Sequence, residues 1–316
     1  MREGTHLTKR AILFAGQGAQ KTGMGKGLYH ASPAAKKIFD RAESRLPGIK
    51  EMCFSAGQEV LNQTANTQPA VYTVDVAAFA AYREAGGPMD AAAGFSLGEY
   101  AALCCAGVFT FEQGLDLVIK RAAWMQEAAQ KTGGGMAAVL GKTGQEVDEM
   151  VSAVCAEGIL QAVNYNCPGQ TVVAGDAENL DQFLAYCKEN KVKAVRLPVS
   201  GAFHSKAMEG VAHKIAEAAR SIEFMAPDVP VYSNMLARPY AADEIKKTLA
   251  AQTASPVYFE QILRSMMRSG YNTFVEVGPG NTLAGFVKRT DGQATVYNVN
   301  DEQTLGQAAQ AIREEK

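Results

Sequence analysis

The sequence lacks any apolar run approaching the ~18 residues that a membrane-spanning helix needs. Its first ten residues are polar and have no apolar core of the kind found in signal peptides. Its charges nearly cancel, because 31 Lys and Arg residues stand against 33 Asp and Glu residues, for a net charge of -2. A chain this close to neutrality presents no strong field to nucleic acid or anionic lipid. We therefore expect a cytoplasmic protein with neither nucleic acid nor a membrane as partner.

Paired cysteines and metal-ligand clusters are also missing. The six cysteines form no C-x-x-C pair, and no histidine lies at metal-ligand spacing from them. The sequence therefore predicts no metal site and no disulfide framework, and it favours reduced thiols that lie mostly in the core. These residues are Cys53, Cys104, Cys105, Cys155, Cys167 and Cys187.

Apolar, β-rich runs alternate with helical stretches along the chain. Strand patterns occupy residues 11–14, 91–93 and 273–277, and helical patterns occupy residues 69–83 and 111–130. This alternation is typical of a parallel sheet covered by helices. With 316 residues, of which 47% are hydrophobic, the chain can form one large core and a smaller second unit.

A different pattern begins at the three glycines 133–135. It follows the order β-α-β-β-α-β, which is typical of the split βαβ, ferredoxin-like unit. Its elements are strand 136–140, helix 145–156, strands 160–165 and 171–174, helix 179–189 and strand 193–197. We predict an α/β fold of two subdomains. The larger one is α/β-hydrolase-like, has a parallel sheet and comprises residues 1–132 and 199–316. The smaller one is an inserted ferredoxin-like α+β subdomain and comprises residues 133–198. A cleft is expected between the two.

One serine lies between glycines at the point where a strand gives way to a helix. Residues 94–100 read GFSLGEY and lead into an alanine-rich helical segment. Glycines on both sides of the serine permit the sharp turn of a nucleophile elbow and clear the face that a carbonyl approaches. We interpret Ser96 as a nucleophile and the N–H of Leu97 as one donor of an oxyanion hole. A bare G-x-S-x-G is as often a merely tight helix start.

A serine nucleophile needs a proton acceptor, and only two histidines follow Ser96 in the chain. His213 projects from the polar side of a helix, where we expect it to be solvated. His204 ends a loop just before that helix, where a side chain can lean over a cleft. We favour His204 as the general base. His6 and His30 precede the elbow and have no comparable setting.

Arg121 lies near the apolar side of helix 111–130, between Val118 and Met125 on the helical wheel. Its planar guanidinium can bind a carboxylate through two hydrogen bonds, whereas simple ester hydrolysis needs no such group. Two alternatives follow from the sequence. Either Arg121 binds a substrate carboxylate, or its side chain extends out of the helix to solvent.

Taken together, these residues resemble the malonyl-CoA:acyl carrier protein transacylases of type II fatty acid synthesis and the acyltransferase domains of polyketide synthases. The resemblance spans almost the whole chain and depends on the order and number of its motifs. Besides 94–100 and Arg121 with Met125, the motifs are 14–20 (FAGQGAQ), 67–70 (TQPA), 164–166 (NYN), 168–170 (PGQ), 200–205 (SGAFHS), Gln252 with 255–257 (SPV), and 276–280 (EVGPG).

The resemblance implies a role for each matching residue. Ser96 attacks the malonyl thioester, His204 takes and returns the proton, and Arg121 binds the free carboxylate. A backbone carbonyl at Gln252, instead of an acidic side chain, orients the histidine. The implied oxyanion hole consists of the N–H groups of Gln17 and Leu97, and the implied acyl pocket includes Gln68, Met125, Asn164 and Phe203. The bulky Phe203 implies a preference for malonyl over methylmalonyl, because its ring crowds a methyl group on the α-carbon.

The implied reaction is a ping-pong transfer of malonyl from coenzyme A, through a malonyl-serine, to the phosphopantetheine thiol of acyl carrier protein. It supplies extender units for fatty acid synthesis and needs no cofactor beyond these substrates. The implied partners are a coenzyme A thioester and acyl carrier protein, and we expect a monomer. An acyltransferase of a polyketide pathway, a serine acyl hydrolase and a non-catalytic carrier-protein binding module are the alternatives.

The chain departs from the family pattern at three positions. Phe95 stands where the family usually has histidine, Lys206 where many members have proline, and Cys167 where serine is frequent. The ring of Phe95 replaces a polar neighbour of the nucleophile by an apolar one. Four basic residues form either a rim for an acidic carrier protein or a solvated face, namely Lys188, Lys191, Lys193 and Arg196.

Overall fold

Two sheets organise the chain in a computed structural model that describes residues 9–155 and 157–314. Most of the predicted polar leader, including His6, lies outside the described residues, as does residue 156 at the end of predicted helix 145–156. Among the helices that are described, none is long and apolar enough to cross a membrane.

The described ranges contain nine strands and fourteen α-helices. The strands are β1 (Arg10–Phe14), β2 (Ala91–Gly94), β3 (Gly135–Leu140), β4 (Leu160–Cys167), β5 (Gln170–Gly175), β6 (Lys193–Arg196), β7 (Val231–Tyr232), β8 (Thr273–Val277) and β9 (Thr295–Val299). The helices are α1 (Lys26–Ala31), α2 (Pro33–Arg45), α3 (Ile49–Phe54), α4 (Gln58–Leu61), α5 (Thr64–Glu84), α6 (Gly98–Cys105), α7 (Phe111–Thr132), α8 (Gly144–Val154), α9 (Ala177–Glu189), α10 (Glu209–Ala219), α11 (Ile245–Ala251), α12 (Phe259–Arg268), α13 (Thr282–Thr290) and α14 (Glu302–Glu314). Two 3₁₀ helices are Lys206–Met208 and Gln252–Ala254.

The larger sheet is parallel throughout, with strand order β7-β2-β1-β8-β9. Central strand β1 is buried along its whole length, which explains why it reads as a continuous apolar run. The predicted parallel α/β sheet is therefore confirmed. One boundary is wrong: α5 begins at Thr64, not at residue 69, and Pro69 lies inside the helix. Packing of the buried residues around Pro69 outweighs the single hydrogen bond that proline removes.

The smaller sheet is antiparallel, with strand order β4-β5-β3-β6. Helix α8 follows its first strand and α9 its third, which is the predicted split βαβ arrangement. Both helices contribute to a core of their own, in which Val147 and Phe183 are fully buried. The ferredoxin-like fold class is confirmed, and the boundaries at residues 133 and 198 stay a prediction.

Strand β4 joins the two units through the main chain. Val257 donates its N–H to the carbonyl of Val163 at 2.7 Å, and its own carbonyl accepts from Tyr165 at 2.9 Å. These bonds connect the small sheet to the segment before α12. One side of the cleft between the two units is therefore joined to the other through the main chain.

The six cysteines are free thiols. The expected core location holds for Cys53, Cys167 and Cys187, which are buried, whereas the other three are half-buried. No group of three or more His, Cys, Asp or Glu side chains in the described part of the chain could hold a metal ion.

Candidate active site

The turn between β2 and α6 places Ser96 in a strained backbone conformation. Its φ of 51° lies in the left-handed region, which non-glycine residues rarely adopt. The flanking glycines permit this turn, because a Cβ on Gly94 would lie 1.9 Å from the carbonyl carbon of Gly98. A Cβ on Gly98 would in turn lie 2.2 Å from the carbonyl oxygen of Phe14. Both glycines are thus required by close backbone approach, as a nucleophile elbow demands.

Substituting Gly94→Ala should therefore destabilise the protein by roughly 3 kcal/mol and displace Ser96, because main-chain atoms cannot yield as a flexible side chain can. The matched control is Gly210→Ala in α10, where an added Cβ meets no atom within 4 Å. That variant should be neutral or stabilised by up to ~1 kcal/mol. Thermal unfolding of both variants checks this, and equal melting temperatures for the two would contradict the account of the turn.

His204 forms a dyad with Ser96. Its Nε2 lies 2.7 Å from Ser96 Oγ, and its Nδ1 lies 3.0 Å from the main-chain carbonyl of Gln252 and 3.2 Å from that of Ser255. Two carbonyls can only accept hydrogen bonds, so they favour the tautomer with the proton on Nδ1 and leave Nε2 free to accept from the serine. The carbonyl of Gln252 thus lies within hydrogen-bond distance of the imidazole, together with that of Ser255, and its orienting role stays a prediction. His213 is exposed, as predicted.

The imidazole of His204 is held neutral. Burial, and then the positive charge of Arg121, lowers the pKa of His204 from 6.5 to about 4. The two carbonyls that accept from Nδ1 oppose this shift. A neutral imidazole near pH 7 is the form that can accept a proton from a serine.

The histidine ring should therefore titrate near pH 4 and not near 6.5. As the pH falls below about 6.5, the unfolded chain takes up a proton at this position before the folded chain does. The free energy of unfolding should therefore decrease between pH 6.5 and about 4. NMR of ring-labelled histidine, with His204→Gln to assign the signal, measures the midpoint. A midpoint close to 6.5 would contradict the burial argument.

Arg121 is buried, with 1% of its surface exposed, so the alternative in which it extends into solvent is wrong. Its Nη1 donates to Gln68 Oε1 at 2.6 Å, and its Nη2 donates to Ser96 Oγ and to Gln252 Oε1, each at 3.0 Å. The guanidinium also lies over the ring of Tyr100, 5.3 Å from its centroid. These acceptors are neutral, so the positive charge remains available to an anionic ligand beside the serine.

A cavity of about 300 Å³ opens at the dyad between the two subdomains. Gln17, Met125, Asn164 and Phe203 line it together with Ser96, Arg121 and His204. Gln68 lies behind this wall, fully buried, with Nε2 3.3 Å from Gln17 Oε1 and 3.4 Å from Met125 Sδ. The side chain of Leu97 is buried and does not line the cavity. The structure thus brings together the residues that the resemblance selects.

Phe95 forms part of an apolar wall of this cavity. Its ring packs at 5.4 Å from that of Phe259 and at 6.1 Å from that of Phe286, measured between centroids. Lys206, at another departure from the family, is exposed and donates its N–H to Gln161. Neither departure disturbs the dyad.

The four basic residues 188, 191, 193 and 196 are all exposed. Arg196 forms an ion pair with Asp181 on α9. A rim for an acidic partner stays a prediction.

Two functional residues are missing from the sequence-based set. Asn234 Oδ1 accepts a hydrogen bond from the N–H of Ser96 at 2.7 Å, and its Nδ2 donates to the carbonyl of Gly94 at 2.6 Å. A single side-chain amide therefore stabilises the strained turn on both sides. Glu99 lies fully buried beneath the same turn. Burial raises the pKa of this carboxyl to about 7, against the opposing effect of its hydrogen-bond donors. Glu99 lies inside the GFSLGEY motif, but no local pattern marks Asn234, which is 138 residues from Ser96.

Comparison with known proteins gives a matching family, a relative of similar length and similar solved structures. The profile of the family described as "acyl transferase domain" matches residues 12–314. The malonyl CoA-acyl carrier protein transacylase of Bacillus subtilis is 39% identical over 313 residues, which cover 98% of this chain and 99% of the relative. The crystal structure of the transacylase of the same name from Clostridium perfringens superposes with a TM-score of 0.93 at 38% identity, covering 97% of this chain and 98% of that one.

A second similar structure contains a partner. It is a malonyl-transacylase in complex with the holo acyl carrier protein of a type II polyketide synthase. Its TM-score to this chain is 0.92 at 34% identity, with 96% of this chain and 100% of that chain covered.

Proposed function

Because this chain belongs to the acyl transferase domain family, we propose that it transfers a malonyl group from coenzyme A to the phosphopantetheine thiol of acyl carrier protein. One observation supports this most strongly: a base and a cation converge on one hydroxyl. Ser96 Oγ lies 2.7 Å from His204 Nε2 and 3.0 Å from Arg121 Nη2. The first contact suits a nucleophile and the second suits an acyl group that carries a negative charge.

Acylation begins when His204 Nε2 takes the proton of Ser96 and Oγ attacks the thioester carbonyl. The N–H groups of Gln17 and Leu97 donate hydrogen bonds to the carbonyl oxygen as negative charge develops on it. The tetrahedral intermediate then collapses, the C–S bond breaks, and the coenzyme A sulfur leaves with the proton from His204. The product is a malonyl ester of Ser96, with its carboxylate bound to Arg121.

The second half repeats these steps in reverse order. The carrier-protein thiol gives its proton to His204 and attacks the serine ester, and the proton returns to Oγ as the ester bond breaks. Water competes for the same ester. Arg121 counters this by fixing the acyl group in one orientation, inside a cavity whose walls include Phe95, Met125 and Phe203.

The proposed reaction also bears on the oligomeric state, the location and the pathway of the protein. One chain supplies the dyad, the carboxylate-binding arginine and the oxyanion donors, which supports a monomer as the acting unit. The reaction uses a thioester donor and a thiol acceptor, and we propose that it needs no further cofactor. We place the reaction in the cytoplasm, where coenzyme A thioesters are used, and assign it to fatty acid synthesis. A polyketide pathway is the second candidate, because this chain is similar to the malonyl-transacylase that was solved with a polyketide acyl carrier protein.

The test is an incubation with malonyl-CoA, with and without holo carrier protein, followed by mass analysis of all products. Malonyl carrier protein that forms only when enzyme is present supports the proposal. Free malonate as the main product would indicate a hydrolase, and unchanged malonyl-CoA would indicate a binding module.

A further inference from the structure

A carboxylate lies beneath the nucleophile turn, on the side away from the cavity lining. Glu99 is fully buried, and three donors converge on it. Its Oε1 accepts from the N–H of Asn234 at 2.7 Å and from the hydroxyl of Tyr240 at 2.8 Å. Its Oε2 accepts from Gln252 Nε2 at 2.6 Å. These contacts favour the ionised carboxylate, because the main-chain N–H of Asn234 can only donate. Together with the charge of Arg121 they oppose the effect of burial, which raises the pKa of Glu99 to about 7.

The Gln252 amide connects this carboxylate to the arginine at the active site. Its Nε2 donates both to Glu99 and to the main-chain carbonyl of Ser96, each at 2.6 Å. Its Oε1 accepts from Arg121 Nη2 at 3.0 Å. In the reversed orientation the amide oxygen would face two acceptors and the amide N–H would face a guanidinium. Glu99 and the Ser96 carbonyl therefore act together to turn the amide oxygen toward Arg121.

The positive charge of Arg121 also links this residue to Glu99. The guanidinium of Arg121 is buried and hydrogen-bonds to neutral oxygens. A buried cation is costly unless a compensating charge lies near. Glu99 supplies that charge through one amide, and the amide dipole points its oxygen toward the cation. The carboxylate thus compensates Arg121 without occupying the face that a substrate would use.

We propose that Glu99 is a positioning residue for substrate selection, which holds the Gln252 amide so that the guanidinium of Arg121 is presented to the carboxylate of the acyl group. This inference rests on the proposed function, since it concerns the same carboxylate site. Glu99 does not line the cavity, and its hydrogen bonds go to Asn234, Tyr240 and Gln252 and not to the serine hydroxyl.

The variant Glu99→Gln keeps the size of the side chain and removes its charge. With its oxygen kept on the N–H of Asn234, the new side chain turns its NH₂ group toward the NH₂ of Gln252. The Gln252 amide then loses one of its two acceptors and is held less firmly against Arg121. We expect kcat/KM for malonyl-CoA to fall by roughly 30-fold, mainly through KM, because a charge-assisted contact is misplaced. Turnover of acetyl-CoA, which has no carboxylate, should change by less than about 3-fold.

The variant Glu99→Asp keeps the charge and shortens the side chain by one methylene. Its carboxylate can still accept from the Gln252 amide, so its malonyl preference should exceed that of Glu99→Gln by several-fold. A purely packing role predicts instead that the shortened side chain loses at least as much as the side chain of equal size. If Glu99→Gln does not fold, Glu99→Asp is measured alone: retained malonyl preference supports the proposal, and lost preference with intact acetyl turnover contradicts it.

Arg121→Ala, measured beside these variants, separates two failures. If it loses malonyl preference while Glu99→Gln keeps it, the role of Glu99 is wrong and the proposed function stands. If Arg121→Ala itself keeps malonyl preference, carboxylate binding by Arg121 is wrong. Equal losses for malonyl-CoA and acetyl-CoA in Glu99→Gln would also overturn the positioning role.

Discussion

Replacing Ser96 by alanine should lower malonyl transfer to carrier protein by at least ~10⁴-fold, because the residual rate then comes only from binding and from the oxyanion donors. The loss should appear in kcat, with malonyl-CoA still bound, since Arg121 and the cavity walls are unchanged. The hydrogen bond from the main-chain N–H of residue 96 to Asn234 is also retained. The fold should therefore be preserved. Initial rates of carrier-protein malonylation, with melting temperature measured beside them, check this prediction.

The matched control is Ser152→Ala. Ser152 is exposed on α8, and its hydroxyl bonds only to a carbonyl one turn earlier in the same helix. Its rate should equal that of the parent protein. If Ser96→Ala kept more than about a tenth of the parent rate, another residue would carry the acyl group, and the dyad assignment would be wrong.

Replacing Arg121 by alanine should lower kcat/KM for malonyl-CoA by roughly 10²- to 10³-fold, which corresponds to losing two charge-assisted hydrogen bonds in a buried site. Acetyl-CoA turnover should fall much less, because an acetyl group has no carboxylate for Arg121 to bind. The selectivity ratio for malonyl over acetyl should therefore fall toward one. Competition between the two thioesters in one reaction measures that ratio directly.

Lys120→Ala is the control for charge and helix position. Lys120 is the preceding residue of α7 and is exposed, so its removal changes net charge equally without altering the cavity. Its selectivity should match the parent protein. An unchanged malonyl-to-acetyl ratio in Arg121→Ala would show that the substrate carboxylate is bound elsewhere.

The parallel sheet and the small inserted sheet could be read from the sequence because their signals are local. Strand β8 coincides with the predicted 273–277, because four of its five residues are apolar or β-branched, as is typical of a buried parallel strand. The order of elements in the inserted unit likewise follows from patterns that need no knowledge of distant residues. Its boundaries are less local, because they depend on where the chain leaves one core for another.

The surroundings of Arg121 could not be predicted in the same way. The helical wheel places it near an apolar side, but its acceptors lie on Gln68, in α5, and on Gln252, in a 3₁₀ helix far along the chain. Only the tertiary fold brings them to one point. For the same reason, Asn234 and the burial of Glu99 were missed, whereas Ser96 was found because its glycines are adjacent in sequence.

The most direct test is to isolate the enzyme after reaction with isotopically labelled malonyl-CoA, locate the label by peptide mass spectrometry, and then add holo carrier protein. The account predicts one labelled malonyl group on Ser96 that moves in full to the phosphopantetheine thiol. Label on a different residue, or label released as free malonate when carrier protein is added, would contradict it.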